Sequence, residues 1–260
     1  MIQHYNILCT MSDLKTKYKI ENISKKDLIV YHHLGLGDHI VMNGLINYLS
    51  KSFESIYLPA KSKYFKQIEF MYEHNNKVKV FKVDDLNEYR DITSFSDTNN
   101  LEILKVGFEK IKTLEKFFEG FYNQLDLSFK ISYDYFKITD NHEKNVLLTN
   151  HLKNYYNCDE KYVLLHLESS QGSFSPKILE INTKYSQILI EKNSDIFGNI
   201  FLYQDLIRNA EEIHCLHSSI FHLVDRVPTN AKLFFHNLKQ EKNIQQEITI
   251  DKKWKYIDYH

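Results

Sequence analysis

Between residues 27 and 83, short apolar runs and amphipathic stretches alternate with very short connections, and this rhythm restricts the chain to few architectures. Residues 27–33 (DLIVYHH) form an apolar run that ends at a glycine turn, the pattern of a buried strand. Residues 39–49 follow, with Ile40, Val41, Leu45, Ile46 and Leu49 spaced to give a helix one buried face. SIYLP, then residues 64–72, then KVKVFKV repeat strand, helix and strand. Such alternation implies parallel pairing through right-handed crossovers. The first half is expected to be a doubly wound α/β unit.

The middle, from about residue 84 to 156, reads as helical, with apolar residues at three-and-four spacing over 101–122 and more weakly over 143–156. A second series then begins. KYVLLHL is a buried strand, followed by the polar loop ESSQGSFSP. SQILIEK is a strand, 200–209 a helix, EEIHCLH a strand, SSIFHLVDRV a helix, and AKLFFHNL a closing strand. The expected architecture is α/β, with two Rossmann-like lobes of parallel sheet and a helical middle segment. The N-terminal lobe takes residues 1–155, of which 1–26 read as an appendage, and the C-terminal lobe takes 156–260. No internal repeat interrupts this pattern.

Composition narrows the function. The 33 Lys+Arg against 34 Asp+Glu leave a net charge of -1, which offers no global field for nucleic acid. No stretch approaches the roughly 18 apolar residues of a membrane span, and the opening MIQHYNILCTMSDLK lacks the layout of a signal peptide. Cys9, Cys158 and Cys215 are widely separated, as fits a reducing cytoplasm better than a disulfide framework.

The chain has seven glycines, and Gly35, Gly37 and Gly44 fall within ten residues of one another. Gly35 and Gly37 occupy the turn between the first strand and the first helix, where doubly wound sheets bind ligands. A helix N-terminus beside such a turn favours negative charge. The same residues also fit a plain strand-to-helix turn in which Asp38 caps the helix. The turn is not a dinucleotide fingerprint, because Ile40 stands where the third glycine belongs and the second strand ends at Leu58-Pro59 without an acid. Nor is it a P-loop, since no Gly-Lys-Ser/Thr follows.

GLGDHIVMNGLI resembles the start of the GT-B glycosyltransferases of the ADP-heptose:LPS heptosyltransferase type, where a Gly-Asp pair opens the first helix. AEEIHCLHSSIFHLVDRVP resembles that family's late strand–loop–helix. Both segments also look like a branch of bacterial glycosyltransferase-like proteins with HLGLGDHI early and EIHCxxSS late. YVLLHLESSQGSFS gives looser support where the second lobe would open. The resemblance implies a metal-independent, inverting transfer of a sugar from a nucleotide-sugar donor to a glycan or glycolipid hydroxyl. No other cofactor is implied.

Carried over position by position, Asp38 is the base that deprotonates the acceptor hydroxyl, a role a cleft carboxylate suits chemically. Gly35, Gly37, His39 and Asn43 belong to the acceptor side of that turn. The donor diphosphate would meet Ser218 and Ser219 at a helix start, with His222 one turn further on. His217 stands where the family has aspartate. Ser169, Ser170 and His166 are candidates for the same donor from the second lobe's first loop. The setting implied is bacterial surface polysaccharide (capsule or lipopolysaccharide) synthesis in the cytoplasm, peripheral to the inner membrane.

Several residues read more plainly. His32 and His33 should point to opposite faces of the first strand. Strand alternation separates His214 from Cys215, and no CxxC or HExxH spacing occurs, so no metal site is expected. Arg226 beside Asp225 reads as a surface ion pair, and residues 61–66 as a solvated lysine-rich helix face. Because His217 departs from the family, a non-catalytic nucleotide- or sugar-phosphate-binding protein is the competing expectation, and another Rossmann-like transferase a third.

Overall fold

The computed structural model describes residues 20, 23–108, 116–158, 160–169, 172–174, 181, 184–237 and 248–259. β1 (Asp27–Tyr31) buries Leu28, Ile29 and Val30 completely, as a strand covered on both faces must. It lies inside a parallel four-stranded sheet of order β3-β2-β1-β4, with β2 (Ser55–Lys61), β3 (Val78–Val83) and β4 (Glu102–Lys105). α1 (Leu36–Leu49), α2 (Phe65–Tyr72) and α3 (Glu88–Asn99) connect these strands. The expected strand–helix rhythm is present from β1 to β3.

The middle departs from expectation. Residues 101–122 are not one helix: their first part is β4, and a helix, α4 (Phe117–Asn123), begins only later. Leu104 is buried in the sheet, and the run EILK satisfies strand and helix spacing alike, so sheet pairing decides. α5 (Ile131–Asp134) and α6 (His142–Tyr155) complete the segment.

The second sheet is also parallel, of order β11-β10-β9-β5-β8. It comprises β5 (Tyr162–His166), β8 (Ser186–Leu189), β9 (Glu212–Cys215), β10 (Lys232–Asn237) and β11 (Trp254–Asp258). β10 does not close the sheet as expected; β11 pairs beyond it. The polar loop after β5 contains a two-stranded hairpin, β6 (Glu168–Ser169) with β7 (Gly172–Ser173). Residues 200–209 are a 3-10 turn running into α7 (Gln204–Asn209), and α8 (Ser219–Arg226) follows β9.

α1 is buried nearly all round, which is why its apolar residues are not confined to one stripe. A further helix crosses it at Gly44, where an added Cβ would lie 2.4 Å from the Ile131 carbonyl and 2.7 Å from Ser132 Cα. Tyr122 and Ser132 hydroxyls both donate to the Val41 carbonyl at 2.8 Å. Ser132 in turn accepts from Arg226 Nη2 at 2.7 Å, and Tyr133 donates to Asp225 Oδ2 at 2.9 Å. Arg226 and Asp225 are therefore not a surface pair; both are buried and grip the middle segment separately. One apolar cluster runs through both sheets.

Gly44→Ala tests the crossing. Alanine gains about 1 kcal/mol in helix propensity over glycine. Against this, a clash with fixed backbone costs about 1–3 kcal/mol or more. The variant should unfold at lower temperature and lower urea concentration than the parent, measured by circular dichroism.

Candidate functional site

Each sheet has one place where successive strands leave in opposite directions, and a crevice opens there at the carboxyl ends. In the first sheet this is between β1 and β4, because β2 and β3 add on one side and β4 on the other. In the second it is between β5 and β9, with β8 on the far side. The loop 32–35 leaves the first switch point and 216–218 the second. The two motifs singled out in the sequence thus stand at the two switch points.

These loops feed helices whose N-terminal turns touch. A Cβ on Gly37 would sit 3.2 Å from His222 Cδ2 and 3.8 Å from Ser219 Cα. α1 and α8 therefore direct the positive ends of their dipoles to one region, a local bias toward anions. Ser218 caps α8, its Oγ accepting from the Phe221 N–H at 3.4 Å.

Asp38 is the N3 residue of α1. Its Oδ2 accepts the Gly35 N–H at 3.1 Å, which folds the glycine turn back on the helix. The side chain is only partly exposed, and burial raises its pKa to about 6. His33, the Gly35 and Asp38 N–H groups and Lys61 oppose that rise. A carboxylate at this pKa is poised to accept a proton near neutrality. Asp38 is thus cap and candidate base at once.

Around it stand groups the sequence did not mark. Lys61 ends β2 rather than lying on a helix face, and its Nζ pairs with Glu88 Oε2 at 2.9 Å. Tyr31 donates to Glu88 Oε1 at 3.1 Å. The position of Lys61 at the carboxyl end of a strand was the available signal.

Other candidates sit deeper. His39 is completely buried, and its ring nitrogens have no hydrogen-bond partner among the described residues. Burial, then His32 and Lys61, hold it neutral. Asn43 is also fully buried, its Oδ1 accepting from Lys137 N at 2.9 Å and Asn47 Nδ2 at 3.1 Å. Both residues pack α1 and face no solvent. His222 is buried between Phe118, Phe221 and His217, and burial keeps its pKa well below the usual histidine value. His217, Ser218 and Ser219 are half-buried at the head of α8.

His166 ends β5, with Nδ1–H donating to the Ile190 carbonyl at 3.1 Å and its pKa lowered to about 4 by burial. Ser169 lies in the hairpin, its hydroxyl donating to Gly172 O at 3.4 Å. Ser170 lies outside the described residues. His32 is fully buried and His33 half-exposed, the opposite facing that strand alternation predicts. His214 pairs across strands with His236, Nδ1 to Nε2, at 2.8 Å.

No protein-family model matches the chain, and no curated protein matches it. Among solved structures it is similar to a glycosyl transferase family 9 protein from Veillonella parvula DSM 2008. That similarity has a TM-score of 0.57 at 9% sequence identity, over 91% of this chain and 86% of that one. E. coli heptosyltransferase WaaC with ADP overlaps with a TM-score of 0.43 at 12% identity, over 89% of this chain and 90% of that one. The first establishes the fold: an α/β architecture with two parallel sheets, as in GT-B-like glycosyltransferases.

The Asp38 environment has a stability signature. Its folded pKa is raised from 3.8 to about 6, so its favourable contribution is complete below the unfolded value and is lost as pH rises through the folded one. Asp38→Asn keeps an oxygen for the Gly35 N–H and removes the desolvated charge. Its melting temperature should match the parent's below pH 4 and exceed it above pH 6. Scans of both proteins across that range check the sign.

Proposed function

We propose that this protein is a glycosyltransferase that moves a sugar from a nucleotide-sugar donor to a glycan or glycolipid hydroxyl. The observation that carries this is the meeting of the two switch-point loops. It packs the first turn of α1, which carries the partly buried Asp38 carboxylate, against the N-terminal turn of α8. The GT-B-like fold supports it.

In this mechanism Asp38 takes the proton of the acceptor hydroxyl as its oxygen attacks the anomeric carbon. The bond from that carbon to the donor diphosphate breaks on the opposite side, which inverts the centre. The departing charge is received by the α8 N-terminus at Ser218 and Ser219, without a metal ion in the scheme. His217 replaces the aspartate of the resembling family and offers a ring that can carry positive charge toward phosphate. The buried His222 backs this turn and shapes it. Gly35 lets the Asp38 carboxylate fold back onto the turn, and Gly37 lets the head of α8 come close.

The setting we propose is synthesis of a bacterial surface glycan in the cytoplasm, with a membrane-linked acceptor drawing the protein to the inner membrane. No helix among the described residues is long and apolar enough to cross a membrane. His217 also favours a second reading, a nucleotide- or sugar-phosphate-binding protein without turnover.

A panel of nucleoside diphosphates and nucleotide sugars separates these. One nucleotide class should raise the melting temperature, since ligand at a hundred times Kd adds about 2.7 kcal/mol. Its sugar conjugate should then support transfer. Asp38→Asn should lower transfer by roughly 10²–10⁴-fold and leave nucleotide affinity intact. Binding without transfer would establish the second reading, and no response to any nucleotide would overturn both.

A further inference from the structure

The loops that leave the two flanks of the first switch point meet through aromatic rings. Phe108, just beyond β4, lies against Tyr31 at the end of β1, with 4.6 Å between ring centroids. It also stacks on His33 in the loop after β1 (4.8 Å between centroids, 17° between planes). This contact is anchored from within. His33 Nε2 lies 2.8 Å from the Gly107 carbonyl, and its ring also stacks on the buried Phe121 at 5.6 Å. Gly107 has φ +87°, and a Cβ there would fall 2.5 Å from the Phe121 ring, so the turn that presents Phe108 requires glycine.

Phe108 thus lies across the carboxyl ends of β1 and β4, where an open parallel sheet receives its ligand. It stays 43% exposed, and Phe117, which meets the same histidine at 5.6 Å, stays 44% exposed. A single exposed apolar side chain is ordinary, but two rings gathered on one histidine at a ligand-binding edge are not. The cluster continues toward the second lobe through Phe118, 5.1 Å from Phe117 and 5.2 Å from His222 of α8.

A polar pair bounds the other end. Tyr31 keeps its ring on Phe108 and donates its hydroxyl to Glu88 Oε1 at 3.1 Å, while Glu88 Oε2 holds Lys61 Nζ at 2.9 Å. Neither side chain of this ion pair is fully buried. A carboxylate has about four lone-pair sites and an ammonium three N–H donors, so both retain bonding capacity. One tyrosine side chain therefore separates an open aromatic ring from a hydrogen-bonding ion pair, a spacing on the scale of one sugar ring.

We propose that this edge is a subsite for a sugar ring of the acceptor, whose C–H face lies on Phe108 while neighbouring hydroxyls donate to Glu88 and accept from Lys61. Apolar walls with a few placed polar groups are the make-up of small-molecule sites. A hydroxyl both donates and accepts, so a vicinal diol satisfies the adjacent carboxylate and ammonium together; an anion, which lacks donors, does not. The subsite rests on the reading of Asp38 as base, because that reading brings the acceptor alcohol to the turn that His33 leads into.

The test is saturation-transfer NMR on the full chain with methyl glycosides of glucose, galactose, mannose and N-acetylglucosamine. Adenine and uracil serve as flat rings without a diol. At least one glycoside should bind, with saturation concentrated on the C–H protons of one ring face. Phe108→Ala, and Phe108→Leu, which keeps apolar volume but no flat face, should each weaken that glycoside roughly fivefold or more. Glu88→Gln, which keeps an oxygen for the Tyr31 hydroxyl, should do the same. All three positions are partly exposed, and circular dichroism checks that the variants fold. Absence of glycoside binding to the parent overturns the proposal, as does binding that folded Phe108→Ala or Glu88→Gln leaves intact, or tighter binding of the flat rings. Glycoside binding lost in the variants of a chain without transfer upholds the subsite and removes the glycosyltransferase. Transfer whose acceptor KM is unmoved by Phe108→Ala keeps the glycosyltransferase and overturns the subsite.

Discussion

The close passage of α1 through the centre of the molecule sets where everything else can stand. A helix covered by sheet on one side and by other helices elsewhere has no polar face to give to water, and small residues fix how near its neighbours come. Gly44 admits the backbone of α5, and Gly37 admits the ring of His222. Were either contact held further apart, the head of α1 and the head of α8 would separate.

That packing has an electrostatic consequence. Asp38 caps its helix through Gly35, a favourable place for an acid beside the N-terminal dipole. Yet the same packing strips water from the carboxylate and raises its pKa to about 6. A capping acid needs only to be charged. An acid that must exchange protons near neutrality needs to be held close to its titration point. The surroundings of Asp38 suit the second demand at the expense of stability, in keeping with its proposed role as base.

The order of elements was largely legible, because periods of 2 and 3.6 separate cleanly wherever a strand is short and fully apolar and a helix is long. It failed where those signals overlap. EILK is four residues beside other apolar positions, so the helical spacing over 101–122 hid β4. Once β4 is a strand, the first switch point exists, and the glycine turn lies at it. At the site, the turn around Asp38 and the facing of His32 and His33 could be read locally. The partners of His33 could not. Gly107 lies 74 residues away, and nothing in its neighbours reports that its carbonyl meets an imidazole. Burial of His39 and Asn43 was equally hidden, since a helix enclosed on all sides places even its polar positions inside.

Asp225 and Arg226 show why adjacency misleads on a helix. Consecutive residues diverge by about 100° around the axis, so neighbours of opposite charge do not face each other. Here they meet instead through one aromatic residue. Tyr133 gives its hydroxyl to the Asp225 carboxylate at 2.9 Å, and its ring face lies 4.6 Å from the Arg226 guanidinium carbon. Asp225 is completed by the N–H groups of Asp251 and Lys252 and by Trp254 Nε1, at 3.0–3.2 Å. Arg226 is completed by the Ser132 hydroxyl and the His222 carbonyl. Each ion is thus satisfied by neutral dipoles drawn from the middle segment, its own helix and the chain leading into β11. Because Ser132 also donates to Val41 within α1, the hydrogen bonds run unbroken from one sheet's principal helix to the other's. A shift of α8 would have to strip two buried ions of their partners, so the geometry between Asp38 and the α8 head is fixed from behind.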